Sequence, residues 1–131
     1  MDPAPRHQAR ERALTLLYEA DVKGELPKSV LDNLAVAPDP YTTTVVTAVG
    51  SRSAEIDGMI DAAAIGWDLD RMAVVDRNVL RLAVAELLEC PDVPTAVILN
   101  EAVELAVAYS TDDSGRFVNG VLATLATRVR G

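Results

Sequence analysis

Arg6 and Arg10 are four residues apart, so in a helix they lie on one face. Guanidinium groups can hold phosphate oxygens, and an aromatic side chain on the adjoining flank, such as Tyr18, can stack on an unpaired base. Cations at a helix N-terminus are unfavourable by roughly a few tenths of a kcal/mol each. The pattern therefore indicates a use beyond stability, and nucleic-acid binding is the chemistry that these residue types favour.

The face that carries Arg6 and Arg10 runs into the apolar arc of the same helix. Two arginines without partners would be costly to bury there. We therefore expect the first turn to project past the core or to line a groove. The alternative is a solvated helix held by ion pairs one turn apart, but two arginines do not form such a pair.

Glu101 and Glu104 form a second charged pair, one turn apart. Paired carboxylates can do acid–base or metal chemistry. Here they stand in an otherwise apolar segment, with no histidine or further ligand cluster nearby in sequence. We expect contact with a basic partner instead of catalysis. The lone His7 has no ligand spacing around it, so we predict no metal site and no cofactor.

The segment 113–122 places Gly120 within a helix, at a cost of about 1 kcal/mol relative to alanine. Phe117 belongs to the buried arc, and Gly120 lies at the edge of that arc. The glycine would leave a notch beside the chain's only phenylalanine. Close packing of helices and a contact site are both open interpretations. Arg116 is predicted on the solvent side, within reach of a phosphate.

The 131 residues, 50% of them apolar, suffice for one hydrophobic core and predict a single domain over 1–131. No apolar run approaches the roughly 20 residues of a membrane span. The opening residues are not those of a signal peptide. Cys90 is the only cysteine, so an internal disulfide is impossible and a reducing, cytoplasmic setting is expected.

The net charge of −8 is unevenly distributed. Residues 1–12 carry +1 and residues 115–131 carry +3, so residues 13–114 hold −12. A phosphate backbone would favour the basic ends, and a basic protein would favour the acidic body. An acidic body that only keeps the protein in solution explains the composition equally well.

Helical periodicity dominates the chain, with apolar residues recurring every three to four positions. A first helix ends at Lys23-Gly24, and Pro27 opens a short second one. Residues 72–88 form a helix, Pro94 suits the first position of another that runs to Tyr109, and a last helix follows the loop 110–114 and runs to Arg130.

The β-branched stretch 41–50 would suit a strand. No second strand is available to pair with it, so we predict helix, broken near Gly50 and continuing to about residue 65. Residues 67–70 form a connector. The prediction is an all-α bundle of six to seven helices.

Three motifs in this order and spacing resemble the NusB family of transcription antitermination factors over nearly the whole chain. The first is RHQARERALTLLY at 6–18, and the second is DRNVLRLAVAEL at 76–87. The third runs from Val93-Pro94 through ILNEAVELA at 98–106 to DSGRFVNGVL at 113–122.

The resemblance implies two packed three-helix sub-bundles and a protein that is not an enzyme. It also implies binding of the boxA element of ribosomal RNA leader transcripts together with ribosomal protein NusE, within an RNA polymerase antitermination complex. The RNA positions it implies are Arg6, His7, Gln8, Arg10 and Tyr18, with Asp113, Arg116 and Phe117 as a second patch. Asp76, Glu86, Glu101 and Glu104 are candidates to face NusE, which is basic.

The chain departs from the family pattern where a denser run of arginines is usual. His7 and Gln8 stand there, and Asp2 adds no positive charge. Near pH 7 we expect His7 to be largely neutral, so that one phosphate contact is lost. That loss would reduce the salt slope by about 0.7 for a single strand. We therefore expect weak unaided RNA binding, completed by the partner protein.

Two alternatives remain. One is an RNA-binding module of the kind fused to ribosomal RNA methyltransferases, although the end at Gly131 leaves no cofactor-binding domain. The other is a helical structural protein whose alanine- and valine-rich faces make a homodimer, with RNA binding absent or blocked.

Overall fold

The computed structural model describes residues 3–131, with side chains from Pro5 onward. Met1 and Asp2 lie outside the described part of the chain, so the prediction about Asp2 has no structural counterpart. Seven α-helices follow in order: α1 Pro3–Lys23, α2 Pro27–Asp32, α3 Pro40–Ser51, α4 Ser53–Ala63, α5 Val74–Glu89, α6 Thr95–Tyr109 and α7 Asp112–Arg130. Within residues 3–131 there is no strand, and the all-α prediction is confirmed.

The helices form two groups of three. Helices α1, α2 and α3 pack on one another, and so do α5, α6 and α7. Helix α5 also packs against α1 and α3, while α4 contacts α3, α5 and α7. The two three-helix sub-bundles are thus confirmed. Helix α5 belongs to the second and joins it to the first through its contacts with α1 and α3.

The β-branched segment is helical, as predicted. Helix α3 starts at Pro40, and the Asp39 side chain caps it by accepting the Tyr41 amide at 2.8 Å. Its apolar positions then fall on one buried face, which includes Val45, Val46 and Val49. The break comes at Arg52, between α3 and α4. Tertiary burial of this face therefore outweighs the strand propensity of the residues.

Three element boundaries differ from the prediction. Pro94 is the residue before α6 and not its first helical residue. Helix α7 begins at Asp112, inside the predicted loop, because the Thr111 hydroxyl caps it by accepting the Ser114 amide at 3.1 Å. The connector after α4 contains one turn of 3₁₀-helix, Leu69–Arg71.

The core is one continuous cluster of apolar side chains that spans both groups of helices. Its largest fully buried members come from several helices and include Leu17, Ile56, Leu80, Ile98 and Leu122. Gly24 has φ +68° and ends α1 in the left-handed conformation that glycine adopts without strain. No described helix is both long and apolar enough to cross a membrane.

Candidate nucleic-acid interface

Arg10 lies inside the protein. Its side chain is 2% exposed, and its Nε donates to Glu86 Oε1 at 2.6 Å. The Tyr41 hydroxyl donates to the same Glu86 oxygen. Of the two expectations for this face, projection past the core is wrong for Arg10, whereas lining a groove is confirmed, because Arg10 lines a depression together with Arg6. A buried carboxylate from α5 offsets part of the cost of burying the guanidinium, although Arg10 Nη2 has no hydrogen-bond partner among the described residues. Burial raises the pKa of Glu86 although Arg10 opposes the shift.

Arg6 is the arginine of this face that reaches the surface. Its guanidinium carbon lies 3.9 Å from the centroid of the Tyr41 ring, a cation–π stack. The half-buried side chain lines one depression of about 310 Å³ with Pro94 and Val97, and a second depression with Pro40. Arg6 thus stands where α1, α3 and the start of α6 meet.

His7 joins α1 to α6. Its Nδ1 lies 2.7 Å from Glu101 Oε2, and its Nε2 lies 3.6 Å from Glu11 Oε1. The hydrogen bond with Glu101, followed by the charges of Glu101, Glu11 and Glu104, raises the pKa of His7 above its ordinary value. The expectation of a largely neutral His7 is therefore revised, because the sequence gives no sign that α6 brings carboxylates to it.

The same cluster bears on metal binding. Ligand atoms of His7, Glu101 and Glu104 lie within 4.8 Å of one another, so the argument that His7 lacks suitable ligands was wrong about the geometry. Glu101 Oε2 is hydrogen-bonded to His7, and Glu101 Oε1 lies 3.8 Å from Arg10 Nη1. Glu101 thus contacts both the imidazole of His7 and the guanidinium of Arg10, and the arrangement is a polar cluster between α1 and α6.

Gln8 and Tyr18 occupy the solvent side of α1. Tyr18 is 43% exposed and so has an open ring face. It stands twelve residues beyond Arg6, about 18 Å along the helix axis. Helix α1 therefore offers a charged contact near its start and an aromatic one in its later part.

Two of the four predicted partner-facing acids are buried. Glu86 is 1% exposed and Asp76 is 8% exposed. Both lie on α5, which is covered by helices of both groups. Glu101 is half-buried against His7, and only Glu104 is exposed. The acidic surface on α6 is thus smaller than the sequence indicated.

The second predicted patch surrounds a pocket. Phe117 and Trp67 meet edge to face, with ring centroids 5.9 Å apart. Together with Asp76, Asp113 and Ser114 they line a cavity of about 230 Å³. Ser114 Oγ donates to Asp76 Oδ2 at 3.1 Å, but Asp76 Oδ1 is buried without a hydrogen-bond partner within residues 3–131. The pocket therefore has aromatic walls and an acceptor that lacks a donor.

Asp113 and Arg116 are both exposed, and they form an ion pair on the first turn of α7. Asp113 lines the Phe117 pocket, whereas Arg116 lines a separate shallow groove between α6 and α7. Arg116 is on the solvent side, as predicted. The residues of the second predicted patch are thus close together in the structure, but they line two different depressions.

Close helix packing occurs at Gly115 and not at Gly120. A Cβ at Gly115 would lie 2.7 Å from Val107 Cγ2, while a Cβ at Gly120 would meet nothing within 4 Å. Of the two interpretations of Gly120, close packing is therefore excluded. Gly115 is therefore the small residue that lets α6 and α7 approach each other.

Sequence reasoning missed two aromatic residues of these sites. Tyr41 was read only as the start of an ambiguous segment, and Trp67 only as part of a connector. The available signal was composition, since these are two of only five aromatic residues in the chain, and both stand at helix ends or in a loop. Nothing in the sequence paired Trp67 with Phe117, 50 positions later.

The arginine–aromatic surface beside the first helix and the separate aromatic pocket are those of a helical binding protein. The NusB family model matches residues 7–127, and the chain belongs to the NusB family. The transcription antitermination protein NusB of Acidothermus cellulolyticus is 49% identical over 124 residues, covering 92% of this chain and 86% of that protein.

Solved structures match as well. The structure of T. maritima NusB superposes with a TM-score of 0.83 at 33% identity, over 93% of this chain and 90% of that chain. A structure of antitermination factors NusB and NusE in complex with dsRNA superposes with a TM-score of 0.81 at 30% identity, over 95% and 98%. The predicted family and fold are confirmed.

Proposed function

We propose that this protein is a transcription antitermination factor that binds boxA RNA of ribosomal RNA leader transcripts together with ribosomal protein NusE. In this role it is an adaptor without catalysis, and it delivers the RNA to an antitermination complex of RNA polymerase. The proposal treats the chain as one RNA-binding domain.

The observation that carries the proposal is the placement of Arg6. It is an arginine at the start of α1, stacked on an aromatic ring and open to solvent on the side of the depressions it lines. A guanidinium fork held in this way presents donors to phosphate oxygens. Tyr18 lies on the adjoining flank of α1, about 120° around the helix from Arg6, with a ring for base stacking, whereas Gln8 is exposed on the opposite side, about 200° from Arg6.

The Phe117 pocket supplies a second contact for RNA. An unpaired base can stack on the exposed part of the Trp67 ring, which Phe117 supports edge to face. Asp76 and Glu86, which lie near the two candidate sites, are ten residues apart on α5, or about 15 Å along its axis. A single strand several nucleotides long would therefore be needed to occupy both sites.

The acidic middle part of the chain supports a basic protein as the partner. The acidic surface that could contact this partner is smaller than the sequence predicted. Glu104 is exposed on α6, and Glu101 beside it is half-buried. Complementary charge on a partner speeds encounter and fixes orientation. The match to a NusB structure that contains NusE and RNA agrees with both parts of the proposal.

Titration of labelled boxA RNA, with and without NusE and against a scrambled RNA of equal length, tests this function. We expect preference for boxA and tighter binding when NusE is present. Equal affinity for the two RNAs would refute the RNA role. Glu104→Lys should weaken NusE binding, while Glu25→Lys, an exposed acid beyond the end of α1, serves as the matched charge control.

Sedimentation across concentration distinguishes the alternative of a self-associating structural protein. A stable homodimer that binds neither RNA nor NusE would replace the proposal. A dimer that dissociates when RNA is added would be compatible with it.

A further inference from the structure

Tyr41 lies between the buried Arg10–Glu86 pair and the surface arginine. One face of its ring supports the Arg6 guanidinium at 3.9 Å, and the Arg10 guanidinium carbon lies 5.6 Å from the same centroid. The Tyr41 hydroxyl donates to Glu86, which also accepts from Arg10 Nε at 2.6 Å. The ring cannot turn away from Arg6 without breaking a hydrogen bond to a buried carboxylate.

This arrangement spans three helices. Glu86 belongs to α5, Arg10 to α1 and Tyr41 to the first turn of α3. The orientation of the ring is therefore set by core packing, far from any flexible element. Asp39, which caps α3 on the Tyr41 amide at 2.8 Å, fixes the backbone of the same residue. Both ends of Tyr41 are thus held.

Arginine side chains have many rotamers, and ordering one on binding opposes association. A guanidinium already stacked on a fixed ring has lost most of that freedom before a ligand arrives. Stacking uses the face of the guanidinium and leaves its in-plane N–H groups available to phosphate oxygens. The geometry therefore favours phosphate binding without adding a charge.

We propose that Tyr41 is a positioning residue for Arg6, anchored by Glu86 and Arg10, and that it sets the affinity of the first-helix site for RNA phosphates. This inference rests on the proposed function. It also gives Arg10 a role beside the RNA contact that the sequence indicated: Arg10 holds the Glu86 anchor from inside.

The test combines four variants: Tyr41→Leu, Tyr41→Phe, Arg6→Ala, and the double variant Arg6→Ala/Tyr41→Leu. Binding of boxA RNA is measured across salt concentration. Tyr41→Leu should weaken binding about 2- to 5-fold, the range of an exposed cation–π contact. The slope of log K against log salt should stay unchanged, because no phosphate contact disappears. Arg6→Ala should reduce that slope by about 0.7.

The double variant separates positioning from a general structural role. If Tyr41 acts through Arg6, then Tyr41→Leu has no further effect in the Arg6→Ala background. Additive losses would overturn the proposal, and so would equal or tighter binding by Tyr41→Leu. Tyr41→Phe keeps the ring and loses the anchor, so its loss should be smaller than that of Tyr41→Leu. Leu26→Ala, which truncates an exposed apolar side chain between α1 and α2, is the control.

A measurement without RNA keeps the inference separate from the proposed function. In the free protein, the Arg6 Nε–H proton should show a ring-current shift that Tyr41→Leu removes and Tyr41→Phe preserves. Absence of that shift in the wild type would overturn the positioning role. If the shift is present but boxA is not preferred over scrambled RNA, the proposed function fails and the stack itself stands.

Discussion

His7 Nδ1 lies 2.7 Å from Glu101 Oε2, a contact that joins the first turn of α1 to the middle of α6. This hydrogen bond is the largest cause that raises the pKa of His7 above 6.5. The folded protein therefore holds the proton on His7 more tightly than the unfolded chain does. The resulting stability is fully present below about pH 6.5 and is lost as pH rises through the raised pKa.

The first prediction concerns this pH dependence. Since His7 is the only histidine, its ring protons can be followed by NMR without ambiguity. We expect its midpoint above pH 6.5, and we expect Glu101→Gln to move the midpoint down. His7→Gln should lower Tm near pH 6 and have little effect near pH 9. A midpoint at or below 6.5 in the wild type would contradict the prediction.

The second prediction concerns the buried pair of Arg10 and Glu86. Removing one partner leaves an uncompensated buried charge, so Glu86→Leu or Arg10→Met should each cost about 3–5 kcal/mol of unfolding free energy. The double variant Arg10→Met/Glu86→Leu should recover much of the loss, because it buries no lone charge. Urea denaturation with a double-mutant cycle measures the coupling.

An exposed ion pair gives the control for that experiment. Arg116 and Asp113 are both largely exposed on α7, and Arg116→Ala should change stability by no more than about 0.5 kcal/mol. If the two single variants of the buried pair cost as little as this, or if their losses simply add in the double variant, the description of Arg10 as an internal anchor is wrong.

Periodicity predicts the helices, but it cannot place Arg10. The helical periodicity places Arg10 on the apolar face of α1. Because burying an unpaired charge is costly, the sequence then favours an exposed position for Arg10. Arg10 is buried all the same, because the carboxylate that compensates its charge belongs to Glu86, 76 positions away. A helical pattern predicts which face of a helix is buried, but it does not predict which face of another helix packs against it.

The same limit applies to the candidate sites. Arg6 and Tyr18 could be selected by residue type, but the stacking partner of Arg6 is on α3 and the wall opposite Phe117 comes from the connector before α5. The resemblance makes Asp76 and Glu86 candidates to face a basic partner, yet both are buried. Their burial follows from the central position of α5, which no local pattern encodes.

The third prediction compares two glycines of α7. Gly120 has open space around an added Cβ, so Gly120→Ala should stabilise the protein by about 1 kcal/mol through helix propensity. At Gly115 an added Cβ would lie 2.7 Å from Val107 Cγ2, and a β-branched valine cannot easily turn away. Gly115→Ala should therefore leave the free energy of unfolding unchanged or lower it, with a Tm equal to or below that of the wild type. Equal stabilisation by both substitutions would show that α6 and α7 are not closely packed at Gly115.

The fourth prediction concerns the Phe117 pocket. Trp67 is the only tryptophan, is 54% exposed and lines the pocket, so its fluorescence reports directly on occupancy. Saturating boxA RNA should quench or shift this emission as a base stacks against the aromatic walls. Phe117→Leu keeps an apolar side chain but removes the stacking face, and should weaken RNA binding by about 1 kcal/mol or more. Leu26→Ala, at an exposed side chain between α1 and α2, should leave both signals unchanged. If RNA binds by anisotropy while Trp67 emission stays constant, the strand does not enter the pocket, and the contact surface is restricted to α1.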